Sequence, residues 1–217
     1  MMASWRLRKI AVALLALWAC LGLAGCPAPS GPPAGGVAAK VKDGDSIVLA
    51  TGEEIRYLGI DTAEMTSTEP REAALAQQAK QVNEQLVRGV KLTLEYDVER
   101  YDQYNRLLAY VRLPDGRLVN VELVRRGLAR VMLSPPNLRY REELVRAQNL
   151  AIDQRLGWWR ELPAGQESFY VGNIRSWRFH RPNCPGAHNT APQNRRIFAD
   201  PLAAYREGFY PAKDCRP

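Results

Sequence analysis

The spacing of apolar positions changes several times after residue 37, and each change marks an element. Residues 40–49 alternate as a strand, Thr51-Gly52-Glu53 makes a turn, and residues 54–60 read as the returning strand of a hairpin. From 71 to 88 the period lengthens. Leu75, Ala79, Val82 and Leu86 recur at steps of four, three and four before Gly89, which predicts an amphipathic helix with a stop. Strand-like runs return at 90–96 and 106–113, and Pro114-Asp115-Gly116 turns the second into a short strand ending near Val119. Asn120 is suited to cap a brief second helix that Gly127 ends. Leu144, Ala147 and Ala151 place a third helix over about 139–156.

Five short strands interrupted by a helix, with helices after them, is the element order of a five-stranded Greek-key barrel of the OB type with three helices. Composition adds a second module. After Gly157-Trp158-Trp159 the aliphatic residues thin out, and from Phe169 onward the chain holds both of its histidines and two of its four cysteines. A barrel domain over 38–160 and a small α+β module over 168–217 are therefore expected.

The other end reads as a leader. Arg6, Arg8 and Lys9 precede an apolar run over residues 10–23, and Leu23-Ala24-Gly25-Cys26 follows. This resembles the bacterial lipobox, which implies a signal peptide over 1–25 and a lipid on Cys26. A transmembrane anchor is the other reading, but the run of 14 residues falls short of the roughly 20 that span a bilayer. Residues 26–37 are a Pro/Gly tether with nothing to bury. These features imply a lipid-anchored protein of the bacterial cell envelope, and Pro27 after the cysteine favours the outer membrane by resemblance to enteric sorting rules. Loss of residues 1–25 lowers the formal net charge from +7 to +4, a modest excess that suits a polyanion.

Two carboxylates stand out. Parity puts Asp45 on the face of Ile47 and Leu49, where an ionised group is costly unless a cation meets it. A metal ion is one such partner; a turn aspartate is the alternative, which explains Asp43 better than Asp45. Asp61 lies five residues beyond Arg56, on the opposite face under strict alternation. A bulge at Gly59 is needed to bring Asp61 or Glu64 toward that arginine.

Four ordered motifs now carry a resemblance. Asp43-Gly44-Asp45-Ser46-Ile47, residues 55–64 (Ile-Arg-Tyr-Leu-Gly-Ile-Asp-Thr-Ala-Glu), residues 102–110 and residues 119–129 resemble the thermonuclease, or staphylococcal-nuclease-like, family in order and spacing. The resemblance implies calcium-dependent hydrolysis of DNA and RNA phosphodiesters to 3′-phosphates. Asp45, Asp61 and the Thr62 carbonyl look like the calcium ligands, Glu64 like the carboxylate that activates water, and Arg56 and Arg106 like the guanidinium pair on the phosphate. Oxygen ligands in small number suit calcium independently of the name. Ala63 stands where the family commonly has proline, and Asn105 replaces the glycine before the arginine. Residues 132–136 lack the family's nucleotide-packing tyrosines, which leaves Tyr104 as the nearest aromatic for substrate. A non-catalytic OB-fold module that binds nucleic acid is the alternative, though it has no use for Glu64 beside two phosphate arginines. No protein partner is implied, and the chain reads as a monomer.

The tail resembles the small zinc-binding module first known from the Ada DNA-repair protein. His180, Cys184 and Cys215 match its ligands, whereas Ala212 stands at the position of another cysteine. Three ligands leave a zinc site open, with His188 as a candidate fourth. A disulfide between Cys184 and Cys215 is the competing reading in an oxidising compartment. Either staple would compensate for a small core.

Overall fold

The computed structural model describes residues 31–213. The expected leader at 1–25, the expected lipidation site at Cys26 and the tail cysteine Cys215 lie outside them. Seven strands precede the tail: β1 (Gly35–Val41), β2 (Ser46–Leu49), β3 (Glu54–Tyr57), β4 (Ile60–Thr62), β5 (Lys91–Glu95), β6 (Leu107–Arg112) and β7 (Ala129–Val131). Five of them close a barrel in the order β1-β2-β3-β6-β5, with every neighbour antiparallel except β3 and β6. Helices α1 (Pro70–Val87), α2 (Val119–Arg125) and α3 (Arg141–Asp153) pack around it. The expected OB-type barrel with three helices is present.

The departures from simple alternation build the site. The segment 40–49 is not one strand, because Asp43 accepts a hydrogen bond from the Asp45 backbone N–H at 3.0 Å and turns the chain between β1 and β2. Strand β1 begins at Gly35, inside the stretch read as a tether, and pairs Gly35–Val37 with Lys91–Thr93. The returning strand ends at Tyr57. Gly59 takes φ +76° in a turn after it, and a Cβ there would lie 2.6 Å from Leu144 Cδ1, so the residue has both a conformational and a steric reason to be glycine. Beyond the turn, β4 leaves the barrel and pairs with β7, with Asp61 opposite Arg130.

Asn120 does not cap its helix. The cap is Leu118, and Asn120 sits fully buried in the first turn, donating to the Leu58 carbonyl at 2.9 Å and accepting from the Val111 N–H at 2.9 Å. It satisfies two backbone groups of the interrupted barrel, where an unpaired polar atom would be costly. Gly127 ends the helix at φ +67° as expected.

The tail forms β8 (Tyr170–Asn173), β9 (Arg178–His180), α4 (Pro185–His188), β10 (Arg195–Phe198), α5 (Pro201–Arg206) and β11 (Tyr210–Pro211). Its sheet runs β10-β8-β9-β11, and only the last pair is parallel. Its core is aromatic rather than dependent on a staple alone: Tyr170, Phe179, Phe198, Tyr205 and Phe209 meet edge to face, with Trp159 against Tyr205 at 5.1 Å. Helix α3 serves both cores. Leu144 and Ala147 belong to the barrel cluster, Ala151 and Ile152 to the aromatic one. Between them Gln148 accepts from the Val131 N–H at 2.8 Å and donates to the Tyr205 carbonyl at 2.6 Å.

Near the end of β5, Glu95 pairs with Arg112 of β6 and accepts from the Tyr140 hydroxyl. The Arg112 hydrogen bond, with that of Tyr140, holds the Glu95 carboxyl below the usual carboxylate range. Its contribution is complete above the unfolded value near 4.5 and is lost as pH falls through the lower folded value. Urea unfolding of wild type and Glu95→Gln is therefore expected to differ at pH 7 and to converge as pH falls through the lowered folded value.

Candidate active site

The site starts with a buried carboxylate at the end of the β1–β2 turn. Asp45 is only 5% exposed. Its Oδ2 accepts from the Thr62 backbone N–H at 2.8 Å and from the Thr62 hydroxyl at 3.1 Å, and Arg56 Nη1 lies 3.1 Å away. Gly44 allows the approach, since a Cβ there would come within 2.6 Å of Ala79 and 2.7 Å of the Thr62 methyl. Buried Asn83 of α1 fixes the turn from below, donating to the Asp43 carbonyl and accepting from the Tyr57 hydroxyl.

Arg56 joins the two predicted metal carboxylates. Its Nη2 reaches Asp61 Oδ1 at 3.3 Å, while Nη1 also donates to the carbonyls of Tyr57 and Ile60 at 3.1 Å each. The Leu58-Gly59 turn thus does what the bulge was required to do. It breaks the alternation and swings Asp61 round to the arginine.

The parallel pairing of β3 with β6 sets Ile55 beside Leu107 and so brings Arg106 to the same side. Asp102 aims it: Arg106 Nε and Nη2 both reach Asp102 Oδ2 at 2.8 Å. Asn105, at φ +61°, makes the turn that the family builds with glycine. Glu64 is exposed and, among the described residues, its side chain has no hydrogen bond or ion pair. Arg56, Glu64 and Arg106 line one cleft of about 620 Å³ with Asp45, Asp61 and Tyr104. Tyr104 is 71% exposed at its rim, with Tyr101 nearby at 50%. Aromatic surface for a base is therefore present without the family tyrosines.

Burial pushes the Asp45 carboxyl up to about 6; Arg56 opposes the shift, and Asp43 and Asp61 add to it. Arg56 and the Thr62 N–H only partly offset the cost of burying the charge. Among the described residues no three His, Cys, Asp or Glu side chains converge as a closed metal cage. Two carboxylates and neighbouring oxygens suit a hard cation that keeps part of its water, as calcium does, and do not suit zinc. The structure brings the Thr62 N–H and hydroxyl to Asp45 as hydrogen-bond donors, whereas the expected calcium ligand is the Thr62 carbonyl.

The family models match the chain in two places: staphylococcal nuclease homologue over residues 54–161, and metal binding domain of Ada over residues 160–217. The thermonuclease of Staphylococcus intermedius is 35% identical over 123 residues, which cover 55% of this chain and 73% of that protein. The chain belongs to the staphylococcal nuclease homologue family. Two Bacillus subtilis (strain 168) relatives, the SPbeta prophage-derived endonuclease YokF and endonuclease YncB, are 36% and 37% identical over 122 and 136 residues. Those alignments cover 54% and 60% of this chain, and 41% and 61% of the relatives.

In this staphylococcal nuclease homologue the tail residues His180 and Cys184 are buried together, with Sγ 3.5 Å from Nδ1. Cys184 is disulfide-bonded. A sulfur so engaged is not the thiolate form that ligates zinc. His188 is exposed at the end of α4.

Sequence reasoning missed three residues that the tail and β7 bring to Asp61 or to the cleft rim. Tyr210 donates to Asp61 Oδ2 at 2.5 Å, Arg130 donates to the Tyr210 hydroxyl at 2.8 Å, and Lys213 lines the rim. No local pattern announces them, because 149 residues separate Tyr210 from Asp61.

If the carboxylate pair holds calcium, the ion stabilises the folded chain by about 2.7 kcal/mol at 100 times its Kd. Thermal unfolding of wild type is expected to shift upward with calcium and that of Asp45→Asn to stay unchanged; equal shifts would remove Asp45 from the site.

Proposed function

We propose that this chain is a calcium-dependent nuclease that hydrolyses the phosphodiester bonds of DNA and RNA and leaves 3′-phosphates. The observation that carries the reading is the convergence of Arg56, Glu64 and Arg106 on a cleft floored by the Asp45–Asp61 pair. The names of the relatives, thermonuclease and endonuclease, support the same activity.

Calcium, when bound, supplies Lewis-acid stabilisation of charge on the phosphate. Glu64 accepts the proton of the attacking water, a role open to an exposed carboxylate with no competing donor among the described residues. Arg106 is held in place by Asp102 and donates to the phosphoryl oxygens as their charge grows. Arg56 acts beside it and keeps the two carboxylates together. Tyr104 and Tyr101 offer flat apolar surface on which any base can stack, in keeping with a substrate read by its backbone rather than its sequence.

The test uses the purified protein with single-stranded DNA, duplex DNA and RNA, in calcium and in chelator. Wild type is expected to cleave all three only with calcium. Glu64→Gln is expected to lose roughly 10²- to 10⁴-fold in rate, and replacement of either arginine about 10²-fold or more. Equal degradation by wild type and Glu64→Gln in chelator overturns the mechanism, and binding without cleavage in calcium supports the non-catalytic alternative.

We further propose a location in the bacterial envelope with lipid on Cys26 as the anchor, a reading supported by the charge, length and cysteine of the expected leader. Cell fractionation is expected to find wild type with membranes and Cys26→Ser in the soluble fraction; an unchanged distribution removes the anchor.

A further inference from the structure

Asp61 is gripped from two sides, and one of them is the tail. Its Oδ1 faces Arg56 Nη2 at 3.3 Å, and its Oδ2 accepts from the Tyr210 hydroxyl. The direction of that hydrogen bond follows from donor accounting. Arg130 Nη2 lies 2.8 Å from the same hydroxyl and can only donate, so the tyrosine oxygen accepts from Arg130 and its own proton goes to Asp61. Arg130 itself stays 3.8 Å from Asp61 Oδ2, too far for a direct hydrogen bond, which makes the tyrosine the relay.

Tyr210 is in turn held firmly. It is 7% exposed, its backbone N–H donates to the Trp177 carbonyl at 2.9 Å, and β11 pairs with β9. The guanidinium of Arg130 lies 4.9 Å from its ring and that of Arg178 lies 5.5 Å away. Arg178 is itself tied to the barrel through the Leu133 carbonyl at 2.9 Å.

We propose that Tyr210 is a positioning residue of the metal site: the tail contributes a neutral hydroxyl that fixes the Asp61 carboxylate for the cation, so the small module is a working part of the active site. A phenol suits this task better than a second arginine. It restrains the carboxylate by a hydrogen bond without adding a positive charge to those that Arg56 and Arg130 already bring, whereas another guanidinium in direct contact competes with the cation. The proposal rests on the calcium reading of Asp45 and Asp61.

The experiment is calcium titration by calorimetry on the whole protein, comparing wild type, Tyr210→Phe and Arg196→Gln. The phenylalanine keeps the ring and removes only the hydroxyl. The glutamine breaks an exposed ion pair with Glu207 elsewhere in the tail and serves as control. Tyr210→Phe is expected to bind calcium about 10-fold more weakly, to need correspondingly more calcium for half-maximal cleavage, and to keep near-wild-type kcat at saturation; Arg196→Gln is expected to match wild type. A lower unfolding midpoint with unchanged calcium affinity in Tyr210→Phe means a merely structural hydroxyl and overturns the proposal. Equal weakening in both variants overturns it as well, since general loosening of the tail then suffices. A wild-type chain that binds no calcium sinks this proposal together with the nuclease mechanism, whereas calcium-binding wild type with an unaltered Tyr210→Phe sinks this proposal alone.

Discussion

A carboxylate enclosed in a barrel wall is the constraint on which the rest of the site depends. Asp45 cannot stay ionised there without donors and cations, and the surrounding chain is arranged to supply them. The Thr62 N–H and hydroxyl, Arg56 and the close-packed Gly44 all converge on it. The supply is incomplete, as the upward shift of Asp45 shows. Two carboxylates that share one arginine are the feature on which the proposed calcium site rests.

The second carboxylate reaches the first because the barrel wall is interrupted. A continuous strand through Gly59 would hold Arg56 and Asp61 on opposite faces. The turn at positive φ ends β3, and β4 then pairs away from the barrel with β7. The carbonyl of Leu58 and the N–H of Val111 are satisfied by the side chain of Asn120. The interruption is thus built into the hydrogen-bond pattern, and a helix residue with a buried amide is part of its cost.

What could be read along the chain was whatever a short window contains. Periodicity found α1 and α3 within a few residues of their ends, and the barrel strands by their alternation. The motif around Asp45, Arg56, Asp61, Glu64 and Arg106 pointed to one cleft, and the structure lines one cleft with them. The misses share a cause. Asn120 resembles a cap in its immediate neighbours, yet its partners Leu58 and Val111 are remote; the β4–β7 pair joins segments some 70 residues apart; Tyr210 meets Asp61 only through the tail's docking. The aromatic core was hidden because its residues come singly from separate elements. Local pattern encodes which face a residue shows, while the identity of what it faces is settled by tertiary packing.

Helix α3 has apolar residues committed in two directions, to the barrel through Leu144 and to the aromatic cluster through Ile152. Only a stripe through Glu142, Arg146, Leu150 and Asp153 faces solvent, and the rest of the helix is wedged between the two interiors. Severing the chain near residue 160 would strip one flank bare and expose hydrocarbon, inviting self-association. The two family-sized segments are therefore joined by packing along α3 as well as by the covalent chain.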